Sequence, residues 1–319
     1  MRPLPIVDPD IRKARTLPGW FYGHLSWHER VLRRVFSGSW QLVPPQVVTA
    51  EQPVVPFEAG GVPLLRTAAG IFSNVCTHRG AILTEQPCAT LRCPYHGRRF
   101  GLDGRMQGAP GFDDIRDADH LPALPVRRVG PLEFVGLGGD FPGDTLELPE
   151  GPWKAGPSAH YDIPCSWALY VENYLEGLHI PFVHPGLNAA LDWRDYENRV
   201  DALSTLQLGL SEGAVVARYW WLWPNTMVNL YDWGLSLNVV EPTAADRCRV
   251  HYHALIRDPQ AQGAGAGGDL DTVEAEDQRV VTSVQQGVRS PLYDRGRFSP
   301  THEQGVHRFQ CLLSQALRD

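Results

Sequence analysis

The chain has 319 residues, room for one large core or two smaller ones, and its 43% hydrophobic and 20% charged content is that of a globular protein. A net charge of −7 argues against a nucleic-acid binder, which presents a basic face. No apolar run reaches the length of a membrane helix, and the opening MRPLPIVDPDIRKARTLPGW lacks the apolar centre of a secretory signal.

Residues 1–37 read as a polar, partly helical lead-in, expected to pack on the C-terminal domain. Residues 38–140 form a small all-β domain: short runs such as QLVPPQVVT, VPLLRT and LEFVGL are broken by Gly and Pro. The stretch GDFPGDTLELPEGPWKAGP marks a boundary, and a second domain occupies 150–319. In it SWALYVENYLEGLH has helical periodicity, 205–257 alternates like antiparallel strands, and DTVEAEDQRVVTSVQQGV is helical again. GAGAGG at 263–268 imitates a dinucleotide fingerprint. It stands too far from a strand, and Asp269 and Asp271 at the following helix start would repel phosphate, so it reads as a loop.

Cys76 and His78 stand two apart, and Cys93 and His96 three apart, in NVCTHRGAILTEQPCATLRCPYHG. Structural zinc sites usually pair like ligands in C-x2-4-C and H-x3-5-H knuckles. Here each loop supplies one Cys and one His, which suits a [2Fe–2S] cluster with two thiolates on one iron and two imidazoles on the other. Gly80 and Gly97 allow tight turns that aim backbone N–H groups at sulfur. Six cysteines in all do not form a disulfide framework, and a reducing cytoplasm is expected.

A second constellation lies in ENYLEGLHIPFVHPG. On a helix, Glu172, Glu176 and His179 share one face, and a break at Pro181 lets His184 turn back toward it. Capping and surface charge account for this stretch equally well. In the helix at 271–288, however, Asp277 sits at the centre of the apolar stripe Val273, Val280, Val281 and Val284. Glu276 points away, and Glu274 and Asp271 lie progressively toward the edge. A carboxylate there is costly unless paired or bound to metal, so Asp277 joins His179 and His184 as a two-His-one-carboxylate set with open positions for dioxygen.

CTHRG and CPYHG resemble the Rieske family. High-potential Rieske proteins carry an extra disulfide-forming Cys in each loop; Ala81 and Tyr95 stand at those positions here, which points to the oxygenase branch. Over nearly the whole length the chain is similar to the α subunit of Rieske non-haem iron ring-hydroxylating oxygenases. The resemblance implies an α+β chain: an all-β Rieske domain, then a helix-grip (START-like) catalytic domain with an antiparallel sheet. It implies Cys76, His78, Cys93 and His96 as cluster ligands, His179, His184 and Asp277 as ligands of a mononuclear Fe(II), and Glu176 and Asn173 as candidate catalytic residues. Glu176 matches the residue that links the iron histidine to a cluster histidine of the neighbouring subunit in a homotrimer. That residue is usually Asp, and Glu occurs in the branch of carnitine and choline monooxygenases.

The implied activity is mono- or dioxygenation of a small organic substrate, an aromatic or heterocyclic ring or a quaternary ammonium compound, with electrons from a separate reductase or ferredoxin. The alternative is a Rieske-type carrier or redox-sensing ligand-binding protein without catalytic iron. ARYWWLWPNTMVNLYDWG could supply an aromatic box or only core: alternation places Tyr219, Trp221 and Trp223 on one face and Trp220 on the other, with Tyr231 and Trp233 further along.

Overall fold

The computed structural model describes residues 6–45, 48–190, 196–262 and 267–318, and the chain divides into two units: Phe36–Asp140, and Phe141–Asp319 together with the segment up to Val35. In the first, alternating apolar residues and glycine turns give short antiparallel strands: β1 (Trp40–Leu42), β2 (Val55–Ala59), β3 (Val62–Thr67), β4 (Gly70–Ser73), β5 (Leu91–Arg92), β6 (Arg99–Phe100), β7 (Met106–Gly108), β8 (Ala123–Leu124), β9 (Val126–Val129) and β10 (Leu132–Gly136). Among the described residues they form three small sheets, β1-β10-β9, β2-β3-β4-β8 and β5-β6-β7. The expected strand QLVPPQVVT is cut to β1, because Pro44 and Pro45 cannot donate to a ladder; positions 46 and 47 lie outside the described residues. Cys76 follows β4 and Cys93 opens the β5–β6 hairpin, and both thiols sit in an apolar cluster with Leu65, Phe72, Leu91 and Phe100.

In the second unit, β11 (Lys154–Ile163), β12 (Glu197–Val200), β13 (Ser204–Ser211), β14 (Ala214–Leu222), β15 (Thr226–Tyr231), β16 (Gly234–Ala244) and β17 (Arg247–Ile256) form a seven-stranded antiparallel sheet in the order β11-β17-β16-β15-β14-β13-β12. The sheet is accompanied by helices α1 (Leu25–Val31), α2 (Trp167–Tyr174), α3 (Ile180–Val183), α4 (Pro185–Ala190), α5 (Leu270–Gly287) and α6 (Gln304–Ala316). Strand β11 starts inside the Pro/Gly-rich stretch read as a boundary. It is an edge strand with a register shift between Ala155 and Ser158, where Pro157 removes no needed bond. Asp269 caps α5 by accepting from the Thr272 N–H; most of the GAGAGG stretch before it lies outside the described residues. Among the described residues no helix is long and apolar enough to cross a membrane.

Two local expectations are corrected. Helix α2 ends at Tyr174 and does not continue to His179. The Glu176 carboxylate instead accepts from the backbone N–H groups of Leu178 and His179, capping a new turn, and Pro181 sits in the first turn of α3, where its missing N–H costs nothing. Pro181 thus begins a helix and does not break one.

Glu172 shares no face with Glu176 and His179. It is half-buried and accepts the Tyr22 hydroxyl at 2.9 and 3.2 Å. Burial pushes its carboxyl from 4.5 up to about 8, opposed by hydrogen bonds from Tyr22 and Gln310. The folded chain therefore keeps a proton that the unfolded chain has released, and this part of the stability is complete below 4.5 and falls as pH rises toward about 8. Glu172→Gln, which needs no proton to stay neutral, is expected to melt above the wild type near pH 8 and to lose that margin below about pH 5 in paired thermal melts.

Candidate metal centres

The turn after α2 and the first half of α5 bring His179, His184 and Asp277 together, with one ligand atom from each lying within 4.8 Å of the others. Asp277 Oδ1 is 3.6 Å from His179 Nε2 and 3.0 Å from His184 Nε2, and it accepts from Asn173 Nδ2 at 2.7 Å. The outer nitrogen of each imidazole is held by a glutamate: His179 Nδ1 lies 2.6 Å from Glu176 Oε1, and His184 Nδ1 lies 2.8 Å from Glu276 Oε2. With Nδ1 occupied on both rings, both Nε2 atoms face Asp277. His184 is 1% exposed. Burial opposes its charged form, but Asp277 and Glu276 outweigh that and hold the imidazole above its ordinary range. Two imidazoles and a carboxylate at this separation suit a borderline divalent metal such as ferrous iron, whose charge would take the place of that proton.

Glu276 corrects the reading of α5. It does not point away from the site but faces His184, because the buried side of the helix is acidic and polar in its first half. Glu274 accepts the Tyr170 hydroxyl at 2.7 Å, while Gln285 takes the Ser166 N–H at the same distance. Val284, assigned to the stripe, is 41% exposed. The face of α5 that packs on α2 is therefore defined by hydrogen bonds, and counting apolar residues misplaces it by part of a turn.

The cluster motif is built as two matching loops. The N–H of Gly80 bonds the carbonyl of Cys76, and that of Gly97 bonds the carbonyl of Cys93, both at 3.0 Å. These glycines have φ of +73° and +74°, a conformation that a side chain would strain. Cys76 and Cys93 are buried, whereas the imidazoles lie toward the rim with ring centroids 4.7 Å apart. Burial pushes the Cys76 thiol up. At Cys93 burial acts the same way, but the N–H groups of His96 and Tyr95, together with the Cys76 thiol and the Arg98 charge, outweigh it and hold the thiol below its usual range. The Nδ1 of His78 is buried with no hydrogen-bond partner among the described residues. An orphaned imidazole nitrogen beside two inward thiols fits a cluster with mixed ligands. His96→Cys is expected to alter the visible and electron paramagnetic resonance spectra of the cluster-loaded protein; unaltered spectra would remove His96 from the ligand set.

Residues 151–202 and 193–319 match the ring hydroxylating alpha subunit (catalytic domain), and residues 40–124 match the Rieske [2Fe-2S] domain. The chain belongs to the Rieske oxygenase α-subunit family. It is an oxygenase, and the alternative of a carrier or sensor without catalytic iron falls away. The chloroplastic choline monooxygenase of Beta vulgaris is 28% identical, matched over 98% of this chain and 79% of its own. The carnitine monooxygenase oxygenase subunit of Escherichia coli K12 is 28% identical over 97% and 95%. The quaternary ammonium Rieske monooxygenase CntA in complex with L-carnitine superposes with a TM-score of 0.76 at 24% identity, covering 97% of both chains.

In this oxygenase α subunit the cavity beside His179, His184 and Asp277 is walled, among the described residues, by six tyrosines: Tyr170, Tyr174, Tyr196, Tyr219, Tyr231 and Tyr252. The tryptophans named from the sequence are not among its lining residues. Trp221 and Trp223 pack against Phe309 of α6, Trp233 stacks on Tyr231 and donates to the Gly267 carbonyl, and Trp220 is buried in the sheet. Of that group only Tyr219 and Tyr231 reach the cavity. Near the cluster loops, Arg98 was not singled out from the sequence; it is buried, bonds Asp119 at 3.0 Å and Thr77 at 3.2 Å, and so ties the two loops together.

Proposed function

We propose that this oxygenase acts on a quaternary ammonium compound. The observation that carries the reading is the cavity wall: six phenol rings, and no Lys or Arg among the described lining residues. Tyrosine faces attract a cation that has lost its water, and the carboxylate of Glu176 in the same wall adds to that field. The relatives named for choline and carnitine oxidation support the same class. A neutral arene would gain stacking from such walls but nothing from their polarity.

In this reading Cys76, His78, Cys93 and His96 hold the cluster, and His179, His184 and Asp277 hold Fe(II). When bound, these groups supply electron delivery and dioxygen activation. Glu176 and Glu276 fix the orientation of the two iron histidines through Nδ1, and Asn173 fixes Asp277 through Oδ1. The tyrosine walls exclude water and present one face of the substrate to the open side of the site. The protein works in the cytoplasm as a homotrimer fed by a separate reductase or ferredoxin, and Glu176 joins His179 to a cluster histidine of the neighbouring subunit.

Turnover with a surrogate reductase tests the substrate class. Choline, L-carnitine and γ-butyrobetaine are compared with naphthalene and indole, with product formation measured beside oxygen uptake. At least one quaternary ammonium compound should give coupled product. Turnover confined to the aromatic compounds would overturn the proposal and favour a ring hydroxylase.

A further inference from the structure

One register line of polar side chains crosses the sheet face below the cavity. Gln207 of β13, Tyr219 of β14, Asn229 of β15 and Ser236 of β16 are successive cross-strand partners, and all four line the cavity. Tyr174, the last residue of α2, clamps this row. Its hydroxyl donates to Asn229 Oδ1 at 2.7 Å, and its carbonyl accepts from Gln207 Nε2 at 2.8 Å. Asn229 Nδ2 donates in turn to Ser236 Oγ at 2.9 Å, so both polar atoms of that amide are used.

Gln207 differs. A carbonyl can only accept, so the bond to Tyr174 fixes which end of the amide is nitrogen and leaves Oε1 as the other end. Oε1 has no hydrogen-bond partner among the described residues, in a side chain that is 0% exposed. The adjacent Tyr219 hydroxyl is also buried without a hydrogen bond of normal geometry, and the Tyr231 phenol lies beside it. A buried acceptor held in place and left unpaired is unfavourable unless something else supplies the donor.

We propose that Gln207 is a specificity residue whose Oε1 accepts a hydrogen bond from a donor on the substrate. Resting on the quaternary ammonium reading, that donor is a hydroxyl at the end of the molecule away from the cation. A carboxylate at that end would set one acceptor against another, and no Lys or Arg among the described lining residues is there to receive it. A site built to pair a substrate hydroxyl rejects the analogue that lacks it, because the buried partner is then left alone.

Calorimetric titration of the cofactor-loaded protein with choline and with propyltrimethylammonium, in which a methyl replaces the hydroxyl, tests the assignment. The wild type should bind choline about tenfold more tightly, the value of one buried hydrogen bond. In Gln207→Leu that margin should vanish while propyltrimethylammonium binds as before, which shows the cavity intact; Gln207→Met, of nearly unchanged length, serves if the Leu variant does not fold. Equal binding of the pair by the wild type, as an ordered water on Oε1 would produce, overturns the proposal, and so does a margin that survives in the variants. Indole and indene, which differ by one N–H, separate the two readings. If neither cation binds but indole exceeds indene and the difference vanishes in Gln207→Met, the quaternary ammonium reading fails and the acceptor role stands. If indole and indene also bind alike, the acceptor role fails as well.

Discussion

Replacing Asp277 with Ala is expected to strip the mononuclear iron and all turnover from the protein while leaving the cluster spectrum unchanged. Its Oδ1 is where the two imidazoles converge, 3.6 and 3.0 Å from their Nε2 atoms, and Asn173 holds it in place. Without it two neutral nitrogen donors remain, a weak set for ferrous iron. The loss in iron affinity should exceed the roughly 10–100-fold that removal of an outer hydrogen-bond partner costs. Glu276→Gln, which keeps an acceptor for His184 Nδ1, should fall within that smaller range. Iron analysis after dialysis, beside the visible spectrum of the cluster, separates the two. Retention of the mononuclear iron by Asp277→Ala, with its loss in Glu274→Ala or Asp271→Ala, would move the ligand elsewhere on α5.

Glu176→Gln is expected to keep its iron and a reducible cluster and yet make almost no product. The wild-type carboxylate takes His179 Nδ1 on one oxygen and the N–H groups of Leu178 and His179 on the other. Four lone-pair directions leave room for one further N–H, which in the proposed trimer comes from a cluster histidine of the neighbouring subunit. Glutamine turns one of those oxygens into a donor. Either the backbone turn or the imidazole side then faces an N–H that cannot accept, and the contact between subunits goes first because the chain's own bonds are covalently tethered. Cluster oxidation in a single turnover, followed by stopped flow, should slow by about a hundredfold. A wild-type rate would mean that electrons reach the site by another route and that Glu176 only caps a turn. Loss of iron together with rate would make it chiefly a support of His179.

Some of this could be read from the chain itself because the determinants are local. The candidate cluster ligands fall in two short loops, each closed by a glycine of positive φ, so residue type and spacing alone single them out. The strand runs VPLLRT and LEFVGL and the helix across 271–288 follow from periodicity, and a central Asp in an apolar stripe is conspicuous wherever the helix packs. His179 and His184 lie close together in the chain and Asp277 lies 93 residues beyond His184, and the chemistry that three such donors share joins them.

What the fold alone decided concerns neighbours distant in sequence. Spacing on an ideal helix put Glu172 beside Glu176, but α2 stops at Tyr174 and Glu172 faces Tyr22 in the core. Glu276 reaches His184 because the packed face of α5 follows hydrogen bonds to α2 and not the valines. Alternation correctly gives Tyr219 and Trp221 one side of β14, yet only Tyr219 lines the cavity, since α6 covers the far end of the strand and Phe309 takes Trp221. Gln207 carries no signal at all in the linear chain. Its free acceptor exists only because the carbonyl of Tyr174 occupies the other end of its amide, a pairing that neither β13 nor α2 specifies without the other. Periodicity states which face a residue shares; what covers that face, and which polar atom is left over, is set by the packing of one element on another.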